Sequence, residues 1–402
     1  MSDTGTRKAE PIAITGAGVV TPIGQDLDTF WAGLVTGVSG IGEIERFPVA
    51  DLRVTRGGEI KKLPPPPGSP RQPPACRASR LLLAAAHEAL ESAGLRDALP
   101  PPDRIAVVVG TALGGIDDAA RAVRGEGGIR AAVGALYDGP TRHLARWVGA
   151  EGPVLTVATA CAAGATSLGV AADLLRRGSV DVALAGGVDV LCRFVQRGFN
   201  VLRSLTREEV RPFDRRRTGL LLGEAAAIVV LERGPSALGR RPASLGWLLG
   251  HASTADGVHV TAPDPEGRGL ELAVRLALRE AGLAAADVDF VSAHGTGTLA
   301  NDRAETEVFR RVFGPRAAHI PVNSIKAHLG HTMGAAATLE AIMCLLAGRY
   351  GQVPPTLNYA EPDPACDLDC VPNAARRYRP RVSLSTSLGF GGCNAALVLA
   401  SG

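Results

Sequence analysis

Twice in 402 residues the chain runs a short apolar strand into a helix built largely of glycine and alanine, and each time a reactive side chain stands at the join. The first instance is VLTVATA followed by AAGATSLGVAADLLRRG, with Cys161 between them. The second is IPVNSI, then KAHLGHTM carrying His331, then GAAATLEAIMCLLAG. A helix with small side chains all round its first turns has no polar stripe to offer water, so it belongs between other layers and not on a surface. Small residues also let neighbouring backbones approach closely. Composition agrees: 46% of the residues are apolar but only 4% are aromatic, so the core packs Ala, Val and Leu.

The rhythm around these two segments repeats. The start, PIAITGAGVVTPIG, reads as a buried strand broken by glycine, followed by a helix through DLDTFWAGLVTG with Asp26 or Asp28 near its first turn. DRIAVVVGTALGG, VDVALAGGVDVL and AAAIVVLE add further strands. From about residue 240 the plan restarts with SLGWLLGHAS, the helix GLELAVRLALREAGL, the strand VDFVSAHG and the helix ETEVFRRVFG. It closes on the pair RVSLSTSLGFGG and NAALVLAS. The chain exceeds the size at which one core stops growing, so two similar halves are expected, 9–240 and 241–402. The expected architecture is layered α/β, mixed sheets between helices, with both central helix starts facing a common centre. KKLPPPPGSPRQPPACR is too rich in proline for a helix or central strand and reads as a surface excursion of polyproline character.

Composition excludes several function classes. A net charge of +3 with scattered arginines gives no basic stripe, which argues against nucleic-acid binding. No apolar run reaches the roughly 20 residues of a membrane span. Seven cysteines (76, 161, 192, 344, 366, 370, 393) have no framework spacing, and no basic segment with an apolar run opens the chain, which fits a reduced, cytoplasmic protein. The chain uses four lysines against 39 arginines. Lys326, between Asn323 and His331, is therefore a place where an ammonium is wanted.

Cys161 at a strand-to-helix turn meets unpaired N–H groups and the helix dipole, which favour a thiolate and can donate to an oxyanion. Ala160, Ala162 and Ala163 leave room for an acyl group. His294 lies in HGTGT, whose glycines let the backbone pass close to a ligand and whose Thr296 and Thr298 offer hydroxyls to an amide-bearing arm. His331, at a helix start, is expected to stay neutral. Two neutral imidazoles can each donate one hydrogen bond to a developing enolate oxygen. HLGH with Cys366 and Cys370 offers zinc-type ligands, but CDLDC is unusually spaced and sits in a proline-rich loop. A cysteine hydrolase is a further alternative; it requires a base with an orienting partner and a route for water.

TAC, HGTGT, KAHLGH and GFGG, in that order and at these spacings, resemble the β-ketoacyl-[acyl carrier protein] synthases, closest to the synthase II type and the ketosynthase subunits of type II polyketide systems. The resemblance runs from ITGAGVVTPIG to GFGGCNAALVL. It implies the thiolase fold, two similar halves forming a five-layered αβαβα sandwich, usually dimeric. It implies an acyltransferase that condenses a Cys161-bound acyl chain with a malonyl thioester, with no metal or cofactor beyond the phosphopantetheine of the acyl carrier protein. His294 and His331 would hold the malonyl carbonyl, and Lys326 would orient them, paired with Glu305. The N–H groups of Cys161 and Phe390 would form the oxyanion hole, with Phe390 as a gate. Thr296 and Thr298 would hold phosphopantetheine, Leu113 and Phe199 would line the acyl pocket, and Arg203 and Arg207 would meet the acidic carrier protein.

A different class of reading is a non-catalytic, chain-length-factor-type scaffold; such subunits lack the nucleophile, and Cys161 is present here. An active subunit can still require such a partner, so homodimer and heterodimer both stay open. The segment from Ile116 to Ala150 is shorter than in typical relatives, and PPPPGSPRQPP replaces a basic segment. Both departures point toward specialised polyketide or polyene-type synthesis over fatty-acid elongation.

Overall fold

The computed structural model describes residues 8–65, 76–234 and 244–402. Most of the polyproline excursion and the junction expected near residue 240 lie outside the described residues.

Ten strands form one sheet: β1 (Ile12–Val20), β2 (Ile105–Gly110), β3 (Val154–Val157), β4 (Val182–Asp189), β5 (Ala225–Arg233), β6 (Gly246–Ala255), β7 (Phe290–Ser292), β8 (Val322–Asn323), β9 (Val382–Gly389) and β10 (Cys393–Ser401). Their order is β8-β7-β9-β10-β6-β1-β5-β4-β2-β3. Read outward from the centre, each half gives the same sequence of pairings: two antiparallel, then two parallel. The halves meet where Ile12–Ile14 of β1 pairs antiparallel with Gly246–Leu248 of β6. The repeat in the sequence is thus a repeat in topology.

Five layers follow from how the strands distribute their side chains. On β2, Ile105, Val107 and Val109 face one core while Ala106 and Val108 face another, and β4 and β5 alternate in the same way, the period-2 pattern of a sheet buried on both faces. The inward set is rich in alanine (Ala106, Ala183, Ala185, Ala225, Ala227) and meets two central helices, α4 (Ala163–Arg176) and α8 (Ala336–Tyr350). Outside the N-terminal half lie α2 (Arg77–Ser92) and α3 (Gly139–Val148); outside the C-terminal half lie α6 (Arg268–Ala281) and α7 (Leu299–Phe313). Two smaller helices complete the set used below, α1 (Leu27–Val35) and α5 (Arg193–Val201). The Asp26 side chain caps α1 by accepting from Thr29 N–H.

One expectation changes here. Glycine does not break β1, which runs unbroken over nine residues with a register shift between Ile14 and Gly16. Its glycines serve packing: a Cβ at Gly16 or Gly18 would fall 2.2 or 2.0 Å from the carbonyl oxygens of Ala89 and Ala85 on α2.

Candidate active site

The two central helices begin in the same way. Each follows a 3-10 turn, Ala160–Ala162 before α4 and Met333–Ala335 before α8, and the first residue of each turn has a left-handed backbone, φ +48° at Ala160 and +51° at Met333. For residues with a Cβ that conformation is strained and persists where the surroundings impose it. Cys161 is the middle residue of the first turn, so its counterpart in the second half is Gly334 and not His331. His331 lies three residues earlier, in a bridge to Leu222.

His331 Nε2 stands 3.0 Å from Cys161 Sγ, and the His294 ring lies beside His331 with centroids 5.2 Å apart and planes nearly perpendicular at 84°. All three side chains are buried and line one cavity of about 320 Å³. Burial, and then the Lys326 charge, hold both imidazoles well below the ordinary histidine range, so each is neutral. The helix start expected to do this lies further on, with a 3-10 turn from Met333 and α8 itself from Ala336. Nδ1 of each ring is buried without a hydrogen-bond partner. Among the described residues no carboxylate orients His331, and the hydrolase alternative lacks the third group it needs.

Burial also pushes the Cys161 thiol up, to about 12, against the pull of Lys326 and the Phe390 N–H. The resting group is a thiol, contrary to the thiolate expected from the helix dipole. The Phe390 N–H reaches the sulfur, and Gly389 lies so close that a Cβ there would sit 3.0 Å from the Cys161 nitrogen. Two backbone donors therefore converge beside the sulfur. The Phe390 ring stacks on Phe199 at 5.4 Å and 14°, and both line the cavity.

Lys326 is paired differently from expectation. Its Nζ donates to Glu340 Oε1 at 2.6 Å, a fully buried pair, and burial pushes the Glu340 carboxyl up to about 7. Glu305 instead accepts from the N–H groups of His294 and Gly295, each at 2.7 Å, and from Thr386 Oγ1 at 2.8 Å. It holds the HGTGT turn from behind and lies outside the cavity lining. Glu340 was missed, although it is the one acid in GAAATLEAIMCLLAG, and a lone carboxylate on an apolar helix signals a buried partner.

Thr296 and Thr298 line the cavity with their hydroxyls 2.9 Å apart, and Thr298 also caps α7. Arg203 lines its mouth, exposed, with φ +56°. Arg207 is exposed but outside the lining. Leu113 packs with Ile116 and Phe199 over a core cluster and also lies outside the lining, so the pocket reaches Phe199 but not Leu113. The loop carrying Asp256, Thr261 and Pro263 forms another wall that sequence reading passed over.

The zinc alternative fails on placement. Cys366 and Cys370 are buried in the outer C-terminal core, the His328 nitrogens each lie 3.0 Å from the carbonyls of Val38 and Pro355, and His331 faces Cys161. Among the described residues, Asp173, His251 and Glu280 are the one group with three ligand atoms within 4.8 Å, and Arg176 pairs with both carboxylates.

The β-ketoacyl synthase N-terminal domain matches residues 9–237 and the β-ketoacyl synthase C-terminal domain matches residues 245–360. The chain belongs to the β-ketoacyl synthase family. It is 40% identical to the tetracenomycin polyketide synthase ketoacyl synthase alpha subunit of Streptomyces glaucescens, over 98% of each chain. It is 36% identical to 3-oxoacyl-[acyl-carrier-protein] synthase 2 of a Synechocystis species, covering 96% of this chain and 97% of that protein. Among solved structures, the ishigamide ketosynthase/chain length factor superposes with a TM-score of 0.90 at 36% identity, over 98% of this chain and all of the other. The fold is the thiolase fold of these synthases. No helix among the described residues is long and apolar enough to cross a membrane.

Proposed function

We propose that this β-ketoacyl synthase catalyses a decarboxylative Claisen condensation between an acyl group on Cys161 and a malonyl group on acyl carrier protein. The observation that carries this is a buried thiol 3.0 Å from a neutral imidazole, with a second neutral imidazole beside it and no orienting carboxylate.

In the first half-reaction the Cys161 proton passes to His331 Nε2 as the sulfur attacks the acyl thioester, and the carrier thiol leaves with that proton. The N–H groups of Cys161 and Phe390 meet the tetrahedral oxyanion; losing one such donor costs about 100- to 1000-fold in rate. In the second, the malonyl thioester loses carbon dioxide and its electron pair moves into an enolate. His294 holds the enolate oxygen as a neutral donor and His331 does so in its Nε2–H tautomer, both kept neutral by burial and Lys326. The enolate carbon attacks the acyl-enzyme carbonyl, the bond to Sγ breaks with its electron pair left on sulfur, the β-ketoacyl chain leaves on the carrier, and one proton from solvent returns Cys161 to its thiol. Thr296 and Thr298 sit where a phosphopantetheine amide would pass, and Arg203 at the mouth suits an acidic carrier protein. Every electron pair is accounted for without a metal or cofactor.

The reading includes a paired state in the cytoplasm. β3 is an edge strand with Val154 and Leu155 38% and 39% exposed, and an open apolar edge is a template for another strand. A second copy or a chain-length-factor-type subunit would cover it; type II polyketide or polyene synthesis is the setting, by likeness to the relatives above. Cys161 sets the chain apart from a pure scaffold.

The test is carbon dioxide release from malonyl carrier protein without an acyl primer. Wild type should release it, and His294→Ala should lose at least about 100-fold, the scale of one transition-state donor. Equal release by both removes the enolate role.

A further inference from the structure

Asp189 ends β4 deep in the molecule, wholly buried, and among the described residues no ion pair holds it. Four donors hold its carboxylate. Oδ1 accepts from Thr111 Oγ1 at 2.8 Å and Leu113 N–H at 2.9 Å; Oδ2 accepts from Ala112 N–H at 2.8 Å and Gly334 N–H at 2.7 Å. Three of these come from the turn after β2 and the fourth from the 3-10 turn that follows His331. A buried carboxylate with that many donors is costly to keep, so its placement is informative.

The Gly334 peptide is pinned on both sides. A Cβ at 334 would fall 2.7 Å from Asp189 Oδ2 and from Thr111 Cα, so a side chain there would drive the two turns apart. On its other face, the Gly334 carbonyl oxygen would meet a Cβ at Gly164 at 2.7 Å or at Gly187 at 2.1 Å, which places it against the start of the nucleophile helix α4. One residue thus touches the Cys161 helix with its carbonyl and Asp189 with its N–H.

We propose that Asp189 is a positioning residue: by holding the Gly334 turn against the Ala112–Leu113 turn, it sets the place of His331 relative to Cys161. The proposal rests on the condensation reading above. Asp189 acts through His331 and touches no substrate. It works as a carboxylate, because a proton on either oxygen removes an acceptor from two donors. Burial pushes this carboxyl up to about 6 despite its four bonds, and the titratable groups facing it are the Cys161 thiol and the Tyr137 hydroxyl, both neutral at that pH.

The experiment is the pH profile of the condensation kcat in wild type, Asp189→Asn and Thr111→Val, with the malonyl-carrier KM and the unfolding midpoint recorded for each. Wild type should lose activity as pH falls through about 6. Asp189→Asn should lack that limb, with kcat down about 10- to 100-fold and KM nearly unchanged, the scale of a misplacement of about 1 Å. Thr111→Val keeps the carboxylate but removes a donor, so its limb should move to higher pH, and it carries the test if Asp189→Asn does not fold. Wild-type kcat and limb in both variants, or a loss that only tracks the unfolding midpoint, overturns the proposal. Wild type without condensation at any pH overturns the functional reading instead.

Discussion

At the scale of single residues, the site is governed by burial more than by helix dipoles. Cys161, His294 and His331 are each driven toward their neutral forms because water is excluded, and Lys326 is the cation whose charge reaches all three. Lys326 and Glu340 are 2% and 1% exposed, so removing one partner strands the other. Lys326→Met should therefore cost about 3–5 kcal/mol of stability, read from urea unfolding. Adding Glu340→Leu should return most of that stability, since a buried pair replaced by apolar groups is often neutral. Condensation should stay lost in the double variant, because the charge near the imidazoles is still missing. A double variant that condenses normally would make the pair purely structural. The sequence pointed to Lys326 through its rarity but put it with Glu305; only the fold shows that Glu305 is spent on the His294 and Gly295 amides.

At the scale of elements, the strands and central helices were legible because their patterns are physical necessities. The unbroken apolar and glycine run of β2 (IAVVVG), and that of β4 up to Asp189 (VALAGGV), mark strands buried on both faces, and the small residues of α4 and α8 mark helices that touch backbone on several sides. What the chain could not disclose were contacts made across it. Asp189 reads only as an acid at the end of VALAGGVDVL, and its partners lie 76 to 145 residues away. The same holds for Glu88 of α2, whose carboxylate accepts from Val19 N–H of β1 at 2.8 Å and Leu27 N–H of α1 at 2.6 Å. Burial raises this carboxyl from 4.5 to about 7. Between those values the folded chain holds a proton that the unfolded chain has lost, so this group adds stability as pH falls and withdraws it as pH rises through about 7. Measured by urea unfolding at pH 5 and pH 8, the stability of wild type over Glu88→Gln should be larger at pH 5 by about 1–3 kcal/mol. A gap that is larger at pH 8 would mean the carboxylate is favoured in the fold.

At the scale of the whole molecule, two halves of one plan are joined along β1 and β6, and their central helices bring one reactive turn from each to the same cavity. That duplication is why both histidines, carried on loops of the second half, can meet a cysteine carried by the first. It also explains a misreading: the symmetry mate of Cys161 is Gly334, whose lack of a side chain lets the two turns touch, while His331 reaches in from outside the symmetric pair. The central claim is that Cys161 carries the acyl chain through a condensation. Its most direct test is intact-protein mass spectrometry of wild type and Cys161→Ala after an acyl-carrier thioester, followed by malonyl carrier protein. The account predicts an acyl adduct on wild type alone, which disappears as a β-ketoacyl carrier product forms. An equal adduct on Cys161→Ala, or product formed by that variant at the wild-type rate, would contradict it.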